Sequence, residues 1–195
     1  TYQHPYTDLK QVIDAQTKAR VILKSSMEIN ESLTIADGSA IQVEAPAVAP
    51  TPIAAITGDA SVENIFQVEE NAALTVKNVK LSGAVNAISS AGTLNVDSVV
   101  IDGSGTGLNL VGSSTCTVDA LEIRNTSGRG IYMKGANVAM EVRRSMTISD
   151  TKGDAIEIDG TGNNKGNLIA TSTGAVHINT TASGKKGLFL NGGKA

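Results

Sequence analysis

The chain holds 195 residues, which suits one domain or a single array of repeats whose length is set by their number. It has no Trp, two Phe and three Tyr, which excludes a core filled by aromatic bulk and favours stacked Val, Ile and Leu. The net charge of −3 excludes a simple polyanion-binding footprint, hence nucleic acid, and no apolar run reaches the roughly 18 residues that would suggest membrane insertion.

The chain opens on Thr1, which fits a processed or excised segment, and residues 1–20 read as a lead followed by a cap. Within it, Thr7 to Ala15 predicts a short helix. Thr7 caps it, Asp8 suits its positive end, and Leu9, Val12 and Ile13 share one apolar face. Such a helix would cover the open end of a stack of strands.

Residues 21–195 then read as strands. Val21–Leu23, Met27–Ile29, Leu33–Ile35 and Ile41–Val43 are short apolar–polar–apolar runs, the period of a strand with one buried face. Ala45 to Pro52 is rich in proline and predicts a surface loop, with Ile53 to Ile56 returning to the strands.

From Phe66 the pattern repeats as three short strands per unit. The first carries Phe66/Val68, Ile88/Ser90, Leu108/Leu110, Ile131/Met133, Ile156/Ile158 and Leu188/Leu190 inward. The second carries Leu74/Val76, Leu94/Val96, Cys116/Val118, Met140/Val142 and Leu168/Ala170. The third carries Val79/Leu81, Val99/Ile101, Leu121/Ile123, Met146/Ile148 and Val176/Ile178. Steps along the third series are 20, 22, 25 and 30 residues, so the strands keep phase while the turns lengthen. This predicts an all-β, right-handed parallel β-helix of about six three-strand coils, a solenoid with an N-terminal capping helix. The C-terminal end shows no cap, which predicts continuation into a longer parent chain or end-to-end association there.

Outward positions of the first strand are then a predictable series. Tyr132, Lys134, Glu157, Asp159 and Phe189 fall on three neighbouring coils and form the candidate ligand surface. Tyr132 and Phe189 offer flat apolar faces to sugar rings. Lys134 would meet a uronic carboxylate or pair with Asp159; Glu157 and Asp159 would accept from hydroxyls, but would also repel an acidic glycan. Arg124, Arg129, Arg143 and Arg144 form a second, basic cluster that would meet an acidic glycan or pair with Glu122 and Glu141. Asp150, Asp154, Glu157 and Asp159 are oxygen donors of the type that suits Ca²⁺, but their spacing matches no calcium loop. No cofactor is therefore expected. Cys116 falls inward as a buried thiol, and neither His4 nor His177 has a nucleophile beside it, so no catalytic residue is assigned. Asn30, Asn125 and Asn179 head glycosylation sequons, a frequent chance match.

Through the openings GLNLVG at 107–112, GIYMKG at 130–135, DAIEIDG at 154–160 and GLFLNG at 187–192, the chain resembles the pectin-lyase-like superfamily of right-handed parallel β-helices. The resemblance spans about residues 20–192 and supplies the expected handedness. It implies architecture more than activity, since the superfamily includes polysaccharide lyases, polygalacturonases, esterases, tailspikes and bacterial adhesins. The Asn-Thr-Asp, Asp-Asp, Gly-His-Gly and Arg-Ile-Lys runs expected of polygalacturonases do not occur. Glu157 and Asp159 approach the carboxylates of calcium pectate lyases, and Lys134 with Glu157 faintly echoes an alginate lyase. The expectation is a noncatalytic, secreted or cell-surface domain for adhesion or polysaccharide binding, its partner a polysaccharide or host-surface glycan. The alternatives are an acidic-polysaccharide lyase of pectate or alginate type, an accessory domain of one, or a structural segment of a fibre or tailspike.

Overall fold

The computed structural model describes residues 5–46, 54–160, 166–171, 174–180 and 182–191. It opens with the helix α1 (Pro5–Ala15), which begins two residues before the predicted cap, so Thr7 lies inside its first turn. The strands follow as β1 (Lys18–Ile22), β2 (Met27–Ile29), β3 (Leu33–Ile35), β4 (Ala40–Glu44), β5 (Ala54–Gly58) and β6 (Asn64–Val68). Next come β7 (Ala73–Lys77), β8 (Val79–Ser82), β9 (Asn86–Ser90), β10 (Thr93–Asp97), β11 (Val99–Asp102) and β12 (Thr106–Val111). The chain continues through β13 (Thr115–Arg124), β14 (Ile131–Lys134), β15 (Val138–Thr151), β16 (Ile156–Asp159), β17 (Gly166–Ala170), β18 (Ala175–Thr180) and β19 (Leu188–Asn191). Most of the predicted Pro-rich loop, at 47–52, lies outside the described residues.

These strands gather into two sheets, one of twelve strands and one of seven, with parallel pairing throughout. The seven-stranded sheet runs β19-β16-β14-β12-β9-β6-β3. The expected right-handed parallel β-helix of three-strand coils is corrected by this arrangement. Three separate stacks were expected, whereas the strands form two parallel sheets disposed as a half-barrel, and the solenoid description is withdrawn.

The reason lies in the corners. The expected second and third strands are divided at one level by Asn78 (φ 54°) and at the next by Ser98 (φ 56°), single residues in the left-handed region. One such residue turns the chain without parting the sheet. Further on, Asp119 and Ala120 stay extended, so the two expected strands become the single strand β13, with only a register shift between Val118 and Ala120. The same happens across Arg143 and Arg144 in β15. No Gly or Pro interrupts either stretch to break it.

The core fills the space between the sheets. Leu108, Ile131 and Ile156 are in register on one sheet and fully buried, as are Ile101, Ile123 and Ile148 on the other. Phe66 is the largest fully buried side chain. Cys116 is buried as well, and burial pushes its thiol up to about 12. Ser90 faces inward too, with its hydroxyl satisfied: Ser114 donates to it at 3.2 Å and it donates to the Gly92 carbonyl at 3.3 Å. Leu188 and Leu190 differ. Each is 40% exposed, because β19 ends the sheet order and no described strand covers its far side. Ala170 is exposed at the same end.

The glycines that bracket the hexapeptide openings have a steric cause. A Cβ at Gly135 would come 2.0 Å from the Gly112 carbonyl oxygen, and one at Gly107 would come 2.5 Å from that of Gly130. Successive levels touch backbone to backbone at these points, and only glycine fits. Helix α1 buries Leu9 and Ile13 against β1, β2 and β3, closing the first end. Among the described residues no helix is long and apolar enough to cross a membrane.

Candidate functional site

The outer face of the seven-stranded sheet is built by register. Gln67, Ser89, Asn109, Tyr132, Glu157 and Phe189 are partners on six successive strands, and Val111, Lys134 and Asp159 form a second file beside them. Each step is roughly 4.8 Å, the spacing of paired strands.

All five residues of the expected ligand surface are brought together. Tyr132 is half-buried, and its hydroxyl donates to Asp159 Oδ2 at 3.3 Å. Lys134 Nζ lies 3.2 Å from the same carboxylate oxygen. Glu157 stands between Tyr132 and Phe189 in register and receives a hydrogen bond from Arg129 Nε. Glu157 and Asp159 are both buried, at 9% and 6% exposure, although they point to the outer face. Packed neighbours on the sheet shield them, and a buried carboxylate needs the partners that each of them has.

Two further cations belong here that the sequence reading placed elsewhere or passed over. The Arg129 guanidinium lies 4.5 Å from the Tyr132 ring centroid, and Lys186 Nζ lies 3.6 Å from that of Phe189. The backbone of Asp154 stands between them, since Gly130 donates to the Asp154 carbonyl and Ala155 to the Lys186 carbonyl. Arg129, Asp154 and Lys186 are thus a file of alternating charge, each three residues before its member of the Tyr132, Glu157, Phe189 file. In the sequence each immediately precedes the residue that opens its apolar run, but only the pairing of levels brings the three together.

The expected basic cluster divides between the two sheets, and Arg124 and Arg143 take the expected alternative of pairing with Glu122 and Glu141. Arg129 belongs to the surface just described. Arg124 pairs with Asp102 and Glu122, Arg143 with Glu141, and Arg144 with Asp97 at 2.6 Å. Each expected cation is met by its own carboxylate on the twelve-stranded sheet. The four acids considered for Ca²⁺ do not assemble either. Among the described residues no three His, Cys, Asp or Glu side chains converge, and Asp150 is exposed at a left-handed corner. His177 is exposed on β18.

The electrostatics of the surface bear on its chemistry. Burial holds the Tyr132 phenol above its ordinary range, with the Asp159 and Glu157 carboxylates acting in the same direction against Lys134 and Arg129. The hydrogen bond to Asp159, followed by the nearby Tyr132 and Asp159, holds Lys134 above its own. Both shifts favour the protonated form of the group.

A second polar group lies lower on the same sheet and was not singled out in the sequence. Asn86 Nδ2 donates to Asn64 Oδ1 at 3.0 Å, Asn64 Nδ2 donates to Gln67 Oε1 at 2.8 Å, and Asn109 Nδ2 donates to Ser89 Oγ at 3.1 Å. Its members are spread over three strands, so only the register reveals it.

Comparison with known proteins finds no matching family model, no matching curated protein and no matching solved structure. The expected pectin-lyase-like kinship therefore rests on the sequence motifs alone.

Proposed function

We propose that this domain is a noncatalytic binding module of a secreted or cell-surface protein, and that its outer seven-stranded face holds a polysaccharide or surface glycan. The observation that carries the reading is the pair of rings, Tyr132 and Phe189, two strands apart on one face with Glu157 between them. Each ring carries a cation against it, Arg129 on Tyr132 and Lys186 on Phe189, and this mix of ring, donor and acceptor suits the alternating apolar and hydroxylated faces of a sugar.

Calorimetric titration with a panel of neutral and acidic polysaccharides tests the binding, and absorbance of unsaturated uronic products after incubation with pectate and alginate tests the chemistry. The expected result is saturable binding without product, weakened about 10-fold by Tyr132→Ala, the worth of one aromatic contact. Product formation that Lys134→Ala abolishes would overturn the noncatalytic reading.

A further inference from the structure

We infer that the ligand class of this face is a neutral, extended glycan lying across the strands, from the ring pair at Tyr132 and Phe189 to the amide ladder at Asn109 and Gln67. The inference rests on the binding reading above and deepens it.

Charge decides the class. Around the rings, Arg129, Lys134 and Lys186 stand against Asp154, Glu157 and Asp159, so the patch sums to zero. Lys134 is engaged with Asp159 and Arg129 with Glu157. The patch therefore offers a uronic carboxylate no net attraction, and drawing Lys134 or Arg129 to one would weaken its pairing with the buried Asp159 or Glu157. Hydroxyl groups make no such demand.

The amide ladder decides the direction. Gln67, Ser89 and Asn109 continue the Tyr132 file without a charged side chain. An amide offers two donor hydrogens and two acceptor lone pairs. Within the ladder Gln67 uses its carbonyl oxygen, and Asn86 and Asn109 each use one donor position. Gln67, Asn86 and Asn109 are half-buried, so they keep contact with solvent while the bonds already made restrict their motion. From Gln67 to Phe189 is five strand spacings, about 24 Å, room for several sugar rings in a row. Amides held rigid in this way hydrogen-bond sugar hydroxyls with little ordering cost.

The test is a calorimetric titration of the full chain with di-, tetra- and hexasaccharides of the cello-, xylo- and manno- series, beside oligogalacturonates of the same lengths. The expected result is affinity for a neutral series that rises with length. Gln67→Ala and Asn109→Ala should each weaken the hexasaccharide about 3- to 10-fold, the range of a single hydrogen bond, with wild-type thermal unfolding reporting that each variant is folded. Wild-type chain that binds no glycan of either charge defeats the binding reading itself. Preference for oligogalacturonate, affinity that is flat with length, or hexasaccharide binding indifferent to Gln67→Ala and Asn109→Ala overturns this inference while leaving that reading in place.

Discussion

Glu157 is held between two rings by a cation that itself lies against one of them. Replacing it with Gln keeps the shape but leaves Arg129 without its counter-charge beside Tyr132. Arg129 is 43% exposed, so solvent softens the loss, and the Glu157→Gln variant should be destabilised by about 1–2 kcal/mol in urea unfolding. A change below the error of the measurement would mean that the pair has no structural weight. Asp102 gives a pH prediction. Asn125, Lys80 and Arg124 hold its carboxyl at about 2, below its ordinary value. A carboxylate depressed in the folded state stabilises fully above its unfolded pKa and loses that contribution as pH falls toward the folded one. The stability difference between wild type and Asp102→Asn should therefore stay constant from neutral pH to about 4 and shrink between about 4 and 2. A difference that grows in that window would contradict the assignment. At this scale the outward positions of Tyr132, Lys134, Glu157, Asp159 and Phe189 were legible, because strand alternation fixes them. Arg129 and Lys186 were not, because they sit in turns, where alternation stops and only the pairing of levels brings side chains together.

At the scale of elements the governing feature is the close approach of successive levels. A Cβ at Gly135 would meet the backbone of Gly112, which cannot give way as a flexible side chain would. Gly135→Ala should cost about 2 kcal/mol or more, seen as a lower thermal midpoint. An unchanged midpoint would mean that the levels are further apart than described. Helix α1 illustrates a different constraint. Leu9 and Ile13 are buried where the helix covers β1, β2 and β3, so Leu9→Asp should lift the helix and expose strand edges. Faster aggregation by light scattering is expected, and a variant as soluble as wild type would show that the edge needs no cover. The helix was readable from Leu9 and Ile13, but Val12, expected on the same buried face, is exposed, and the start at Pro5 was missed although proline suits a first helical turn. The merging of expected strands into β13 and β15 was missed for a related reason. Asp119-Ala120 and Arg143-Arg144 are polar or small enough to read as turns, yet the chain stays extended through them, with Asp119, Arg143 and Arg144 stepping out of the pairing at an irregularity rather than ending the strand.

Across the whole molecule the two sheets divide the labour of charge. The twelve-stranded sheet pairs its arginines with local acids, Arg124 with Asp102 and Glu122, Arg143 with Glu141 and Arg144 with Asp97. The seven-stranded sheet gathers rings, compensated charges and amides in one file. Composition anticipated neither arrangement, since a net charge of −3 says nothing about where charges meet. The central claim is that the glycan sits on the seven-stranded face. It is tested most directly by titrating one bound oligosaccharide into four variants, Tyr132→Ala, Phe189→Ala, Arg143→Ala and Arg144→Ala. Loss of about 10-fold or more in the first pair with wild-type affinity in the second is the predicted result. Wild-type affinity in the first pair with loss in the second would place the site on the twelve-stranded sheet and contradict the account.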